Sequence, residues 1–207
     1  MKLFGYQTPL IMLVLWLFLV ISFFYALIAQ DWTTAFVSGI TIGISAYMIY
    51  LNKTVDFHIP KTLLTFALFF IYATLFLGEV ENFYERFWWW DAVLHTGSAI
   101  GFGIVGVTIL AILFRKQKVH ASPFIIAVFA FSLAVAIGAV WEIFEFAMDQ
   151  IFGLNMQKSG LVDTMWDLIV DSIGALLAAL GGYFYLSKSD ISGPISNLIE
   201  EAVEENL

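Results

Sequence analysis

Residues 163–171 read Asp-Thr-Met-Trp-Asp-Leu-Ile-Val-Asp, with carboxylates at Asp163, Asp167 and Asp171. A four-residue repeat stacks side chains on one face of an α-helix, here over about two turns. The stretch opens an apolar run that continues through Gly174, Ala175, Ala178 and Gly182. That run reads as a membrane span. A charged aspartate at the centre of such a span costs about 2.5–3.5 kcal/mol to insert, and less near the interface. Three on one stripe need partners.

Two other segments offer them. Asp91 and His95 lie four residues apart, and Glu142, Glu145 and Asp149 follow each other at spacings of three and four. Each set therefore shares a helix face. Together the stripes hold seven carboxylates and one imidazole, with Arg86 and Lys158 as the nearby bases. Two bases cannot neutralise seven acids. Either several acids carry protons or a bound cation supplies the charge. Oxygen-rich ligation with at most one imidazole suits Mg²⁺, Mn²⁺ or Ca²⁺, with Zn²⁺ or iron as alternatives. The candidate ligands are Asp91, His95, Glu142, Glu145, Asp149, Asp163, Asp167 and Asp171. His95 or Glu145 is placed to serve as a general base. His58 and His120 fall near loops and read as solvated.

The elements that must position these residues are membrane helices. The 207-residue chain is 61% hydrophobic and only 13% charged, which marks an integral membrane protein. With no cysteine, disulfides and thiolate metal sites are excluded. The net charge of −8 argues against nucleic acid and against a basic anchor on anionic lipid. Six apolar spans are expected, near 10–29, 34–51, 62–77, 91–114, 123–149 and 162–186. The expected fold is an all-α transmembrane bundle over 1–187 with a cytoplasmic tail over 188–207. In the tail, Ile195, Leu198, Ile199, Ala202 and Val203 recur at helical spacing between glutamates. This acidic amphipathic helix could support a homo-oligomer. Between spans three and four, Glu79, Glu81, Glu85 and Arg86 mix with Phe83, Tyr84, Phe87 and Trp88–Trp90, as suits a headgroup layer.

Seven of nine basic residues (Lys2, Lys53, Lys61, Arg115, Lys116, Lys118, Lys188) fall on one side of a six-span chain. Arg86 and Lys158 fall on the other. The positive-inside rule then puts both termini in the cytoplasm and the acidic stripes at the outer face. Spans four and six descend while span five rises. Three layers follow: Asp91, Asp149 and Asp163 outermost; His95, Glu145 and Asp167 next; Glu142 and Asp171 deepest. Small residues should let the three helices touch: Gly97 and Gly101 in span four, Ala134 and Gly138 in span five, Gly174 to Gly182 in span six. Trp141 and Trp166 flank the acids and would seal the site.

Three segments, Trp-Trp-Trp-Asp-Ala-Val-Leu-His (88–95), Trp-Glu-Ile-Phe-Glu-Phe-Ala-Met-Asp (141–149) and the run from Asp163, resemble the YjdF-like family of prokaryotic membrane proteins. The resemblance covers roughly 88–180 and implies a small polytopic protein without naming a reaction. More distantly the chain is similar to the VanZ-like pattern of Asp-Lys-x-x-His followed by acidic helix ends. It departs from that pattern at Ala92, where Lys is expected, and at Asp171, where Asn is usual.

Three functions fit these residues. One is a metal-dependent membrane enzyme acting on a lipid or envelope substrate. A second is a proton- or cation-coupled carrier. A third is a structural protein whose bundle is locked by an ion. No nucleophile motif, phosphate-binding loop or histidine-dense di-iron set accompanies the acids, and no inverted repeat supports a carrier.

Overall fold

The computed structural model describes residues 2–3, 6–7, 10–54, 59–187 and 193–207; His58 and Lys188 lie outside them. The protein is built of helices. Among the described residues, six helical spans are long and apolar enough to cross a membrane, so it is a multi-pass membrane protein, as the hydropathy predicts. At the N-terminus, β1 (Lys2–Leu3) and β2 (Tyr6–Gln7) form a short antiparallel ribbon that the apolar pattern does not announce. The helices are α1 (Leu10–Ala29), α2 (Trp32–Thr54), α3 (Lys61–Ile71), α4 (Phe83–Arg86), α5 (Trp90–Arg115), α6 (Pro123–Phe152), α7 (Leu161–Leu186) and α8 (Pro194–Glu204). They fall into two compact units, Met1–Trp90 and Asp91–Leu207.

In the first unit, α1 buries Met12, Leu19 and Ala26, one residue every seven, against its neighbours. Met12 joins Ile49, Leu64 and Leu68 in one apolar cluster, and Leu19 joins Tyr72 and Phe76 in another. Helix α2 begins at Trp32, two residues earlier than expected, because Asp31 caps it. The Asp31 carboxylate accepts the Thr34 backbone N–H (3.1 Å) and hydroxyl (2.7 Å). The Thr34 hydroxyl bond holds the Asp31 carboxyl below its usual range. Helix α3 does not stop at Leu77 as expected but continues as a π-helix over Tyr72–Val80. Gly78 is needed there, since a Cβ would overlap the ring of Tyr84. The aromatic stretch then folds on itself, with Phe83 edge-on to Phe87 (5.0 Å) and to Trp90 (4.9 Å).

In the second unit, α5, α6 and α7 pack through small residues. Added Cβ atoms would strike Ala178 from Gly103, the Thr96 carbonyl from Gly174, and Val107 from Gly182. These contacts advance together along α5 and α7, so the two helices run parallel. Gly106 lies against Ala130 while Gly138 lies against Asp171, so α6 runs antiparallel to both. The expected stripes on α6 and α7 are confirmed, with Ala134, Gly174, Ala175, Ala178 and Gly182 buried. The α5 stripe is corrected. Gly101 faces open space, and the contact belongs to Gly103 and Gly106, two and five residues further on. Arg115 donates to the Tyr185 hydroxyl (2.6 Å) at the far ends of α5 and α7.

The tail helix α8 is docked rather than free. Ile195 fills the place left open at Gly181, and Ile199, Ala202 and Val203 are buried.

The outside of the spans is greasy and the inside partly polar. Val140, Ile143, Phe144, Leu176 and Leu177 are exposed, while Ser38, Thr41, Glu142, Asp167 and Asp171 are buried. That inversion of the soluble pattern suits a lipid solvent.

Candidate metal centre

The site lies wholly in the second unit, at the end formed by the start of α5, the end of α6 and the start of α7. Parallel α5 and α7 bring their first turns to one level. Antiparallel α6 brings its last turns to the same level. The expected convergence of the three acidic stripes is therefore what the helices build.

His95 is the hub. Its Nδ1 lies 3.3 Å from Asp171 Oδ2. Its Nε2 lies 3.8 Å from Glu142 Oε1 and 3.9 Å from Asp91 Oδ1. The first distance is a long hydrogen bond. The other two are too long for one, and they leave a space between imidazole and carboxylates of the size two ligands keep across a shared ion. A ring whose Nδ1–H donates to Asp171 presents the Nε2 lone pair to that space.

Burial sharpens the arrangement. Exposure is 1% for Asp171, 3% for Glu142, 4% for Asp167 and 8% for His95. Both oxygens of Glu142 are buried without a hydrogen-bond partner, as is Oδ1 of Asp171. The neighbouring Thr164 hydroxyl accepts from Gln157 Nε2 (2.7 Å). A buried carboxylate left so costs several kcal/mol unless a proton or a cation compensates it.

Ligand atoms cluster in two groups, His95–Glu142–Asp167 and Asp91–Asp163–Asp167, each spanning no more than 4.8 Å. Asp91 and Asp163 are half-buried. Gly138 makes room for this end of the bundle, because a Cβ there would overlap the Asp171 carboxylate.

The remaining expected ligands, Asp149 and Glu145, belong to neither group. Asp149 accepts the backbone N–H groups of Met156 (2.8 Å) and Gln157 (2.9 Å), so it ties down the α6–α7 loop. Glu145 accepts from Trp141 Nε1 (2.9 Å) and joins neither group. The expected layering is accordingly shifted: Glu142, not Glu145, stands level with His95 and Asp167. Trp166 is 63% exposed, too open to form the expected seal. Sequence reasoning missed Gly138 as the cradle of Asp171 and Gln157 as the partner of Thr164. Four-residue spacing of Gly138 and Glu142 was the available signal for the first.

Comparison with known proteins gives the family. A family model described as predicted membrane protein (DUF2238) matches residues 10–188. An uncharacterized protein of Thermotoga maritima is 34% identical over 103 residues, covering 50% of this chain and 52% of the relative. The chain thus matches about half the length of that curated relative. No solved structure matches. The VanZ-like similarity gains no support from these matches, whereas the YjdF-like one does. From residue 10 to residue 188, nearly its whole length, the chain belongs to the DUF2238 family of predicted membrane proteins.

Proposed function

We propose that the protein binds a divalent metal ion between His95 Nε2, Glu142 and Asp167, and uses it on a lipid or envelope substrate. The observation that carries the reading is Glu142. Its carboxylate is almost fully buried, lacks hydrogen bonds, and stands 3.8 Å from the free face of the hub imidazole. Asp171 acts behind the ring, holding its tautomer and orientation, as second carboxylates do behind ligating histidines. One imidazole with carboxylates favours Mn²⁺, Zn²⁺ or Mg²⁺. When bound, such an ion polarises a phosphoryl or carbonyl oxygen or activates water. The half-buried side at Asp91 and Asp163 is where substrate and water would approach. The distribution of lysine and arginine supports an outward-facing site.

The test is metal removal and return. Chelated protein in detergent is reloaded with Mn²⁺ and incubated with a total membrane-lipid extract, and products are read by mass spectrometry. Metal-dependent conversion that Glu142→Gln abolishes supports the enzyme. Metal uptake without conversion supports a bundle-locking ion. No uptake, with proton binding in its place, overturns the metal and favours the carrier.

A further inference from the structure

We infer that the centre takes two divalent ions, bridged by Asp167. This deepens the proposed metal site and rests on it.

Asp167 belongs to both ligand groups, beside His95 and Glu142 in one and beside Asp91 and Asp163 in the other. It is 96% buried, the complement of its 4% exposure. A buried carboxylate shared between two ligand sets has the placement of a bridging ligand.

Charge supports the count. The two groups together hold four carboxylates, Asp91, Glu142, Asp163 and Asp167, and one imidazole. One divalent ion leaves two negative charges uncompensated in a mostly buried site. Two divalent ions match those four charges; the buried Asp171 carboxylate on the far side of His95 adds a fifth, which faces the ring's Nδ1. The burial of Glu142 without hydrogen bonds is then matched on the inner ion, and the 4% exposure of Asp167 fits a ligand shared by both.

The two positions differ in chemistry. The inner one has an imidazole and two buried carboxylates, a set that suits Mn²⁺ or Zn²⁺. The outer one has only carboxylates, two of them half-exposed, and would complete its shell with water. That suits a hard, exchangeable ion such as Mg²⁺ or Mn²⁺. Paired ions about 3.5–4 Å apart clamp the oxygens of a phosphoryl group, so the substrate class this site fits is a phosphate-bearing lipid headgroup.

The full chain, purified in detergent and stripped with chelator, is titrated with Mn²⁺ alone. Elemental analysis gives the ions per chain, and electron paramagnetic resonance shows whether they are coupled. Two ions with an exchange-coupled signal are expected in the native protein. Asp163→Asn should hold one uncoupled ion, and Asp167→Asn should lose coupling together with at least the outer ion. Excess Mg²⁺ should displace the outer Mn²⁺ first, converting the coupled signal into that of an isolated ion. One uncoupled ion in the native protein at saturating Mn²⁺ overturns the pair and leaves the single-ion reading standing. No bound Mn²⁺ overturns both.

Discussion

Asp171 Oδ2 faces His95 Nδ1 at 3.3 Å, and it can do so because position 138 on the facing helix is glycine. The site is therefore assembled from behind: α6 yields space, α7 fills it with a carboxylate, and that carboxylate aims an imidazole carried by α5. Gly138→Ala would press a methyl group into the Asp171 carboxylate. It is expected to destabilise the bundle by about 1–3 kcal/mol, as overpacking does. Metal affinity should fall by roughly 10–100-fold, the usual cost of a lost outer-shell partner. Gly101→Ala, with nothing within 4 Å of the added carbon, is the control: it should leave metal affinity unchanged and should not lower stability, since Ala favours a helix over Gly. Melting temperature and Mn²⁺ titration in detergent read the two effects. Equal behaviour of the two variants would contradict the account.

Asp171 should act as a positioning residue. Asp171→Asn keeps the shape and one acceptor oxygen, so Mn²⁺ should still bind, more weakly by roughly 10–100-fold. Glu142→Gln removes a proposed ligand and should abolish Mn²⁺ binding at the proposed inner position. A titration in which Asp171→Asn is the more damaging of the two would make Asp171 a ligand.

The cap on α2 should titrate. The folded-state pKa of Asp31 is lowered by its bonds from Thr34, so the cap's contribution is complete above the ordinary carboxylate pKa of 3.8. It is lost as pH falls through the lower folded value. Native protein and Asp31→Asn should therefore differ in melting temperature near neutrality and converge in acid. A difference that grows with acidity has the wrong sign.

Orientation can be read directly because the chain has no cysteine. Ser159→Cys in the exposed α6–α7 loop should react with an impermeant maleimide on intact cells. His120→Cys in the α5–α6 loop should react only after permeabilisation. The reverse pattern would place the acidic cluster at the cytoplasmic face.

Much of this was legible in the sequence, for a physical reason. Lipid leaves a span little freedom: backbone polar groups must close on themselves and acids must face inward. Twenty apolar residues from Leu10 to Ala29 thus fix α1 to the residue, and the three acidic stripes fix which helices meet. What remained hidden depends on rotation and register. Glu142 and Glu145 lie one turn apart on similar faces, and only packing decides that Glu142 meets His95 while Glu145 turns to Trp141. Asp149 looks like a third ligand until the loop folds back and offers it two backbone amides. Likewise Gly101 satisfies a small-residue motif as well as Gly103 does, yet only Gly103 finds a neighbouring helix. The π-helical continuation from Tyr72 to Val80 has no sequence pattern that distinguishes it from an α-helix.

Mn²⁺ X-ray absorption on the reloaded protein tests the central claim most directly. The account predicts a shell of nitrogen and oxygen with the outer scattering of one imidazole, lost from the spectrum in His95→Ala and weakened in Glu142→Gln. A spectrum of fully hydrated Mn²⁺, or one unchanged by either substitution, would contradict it.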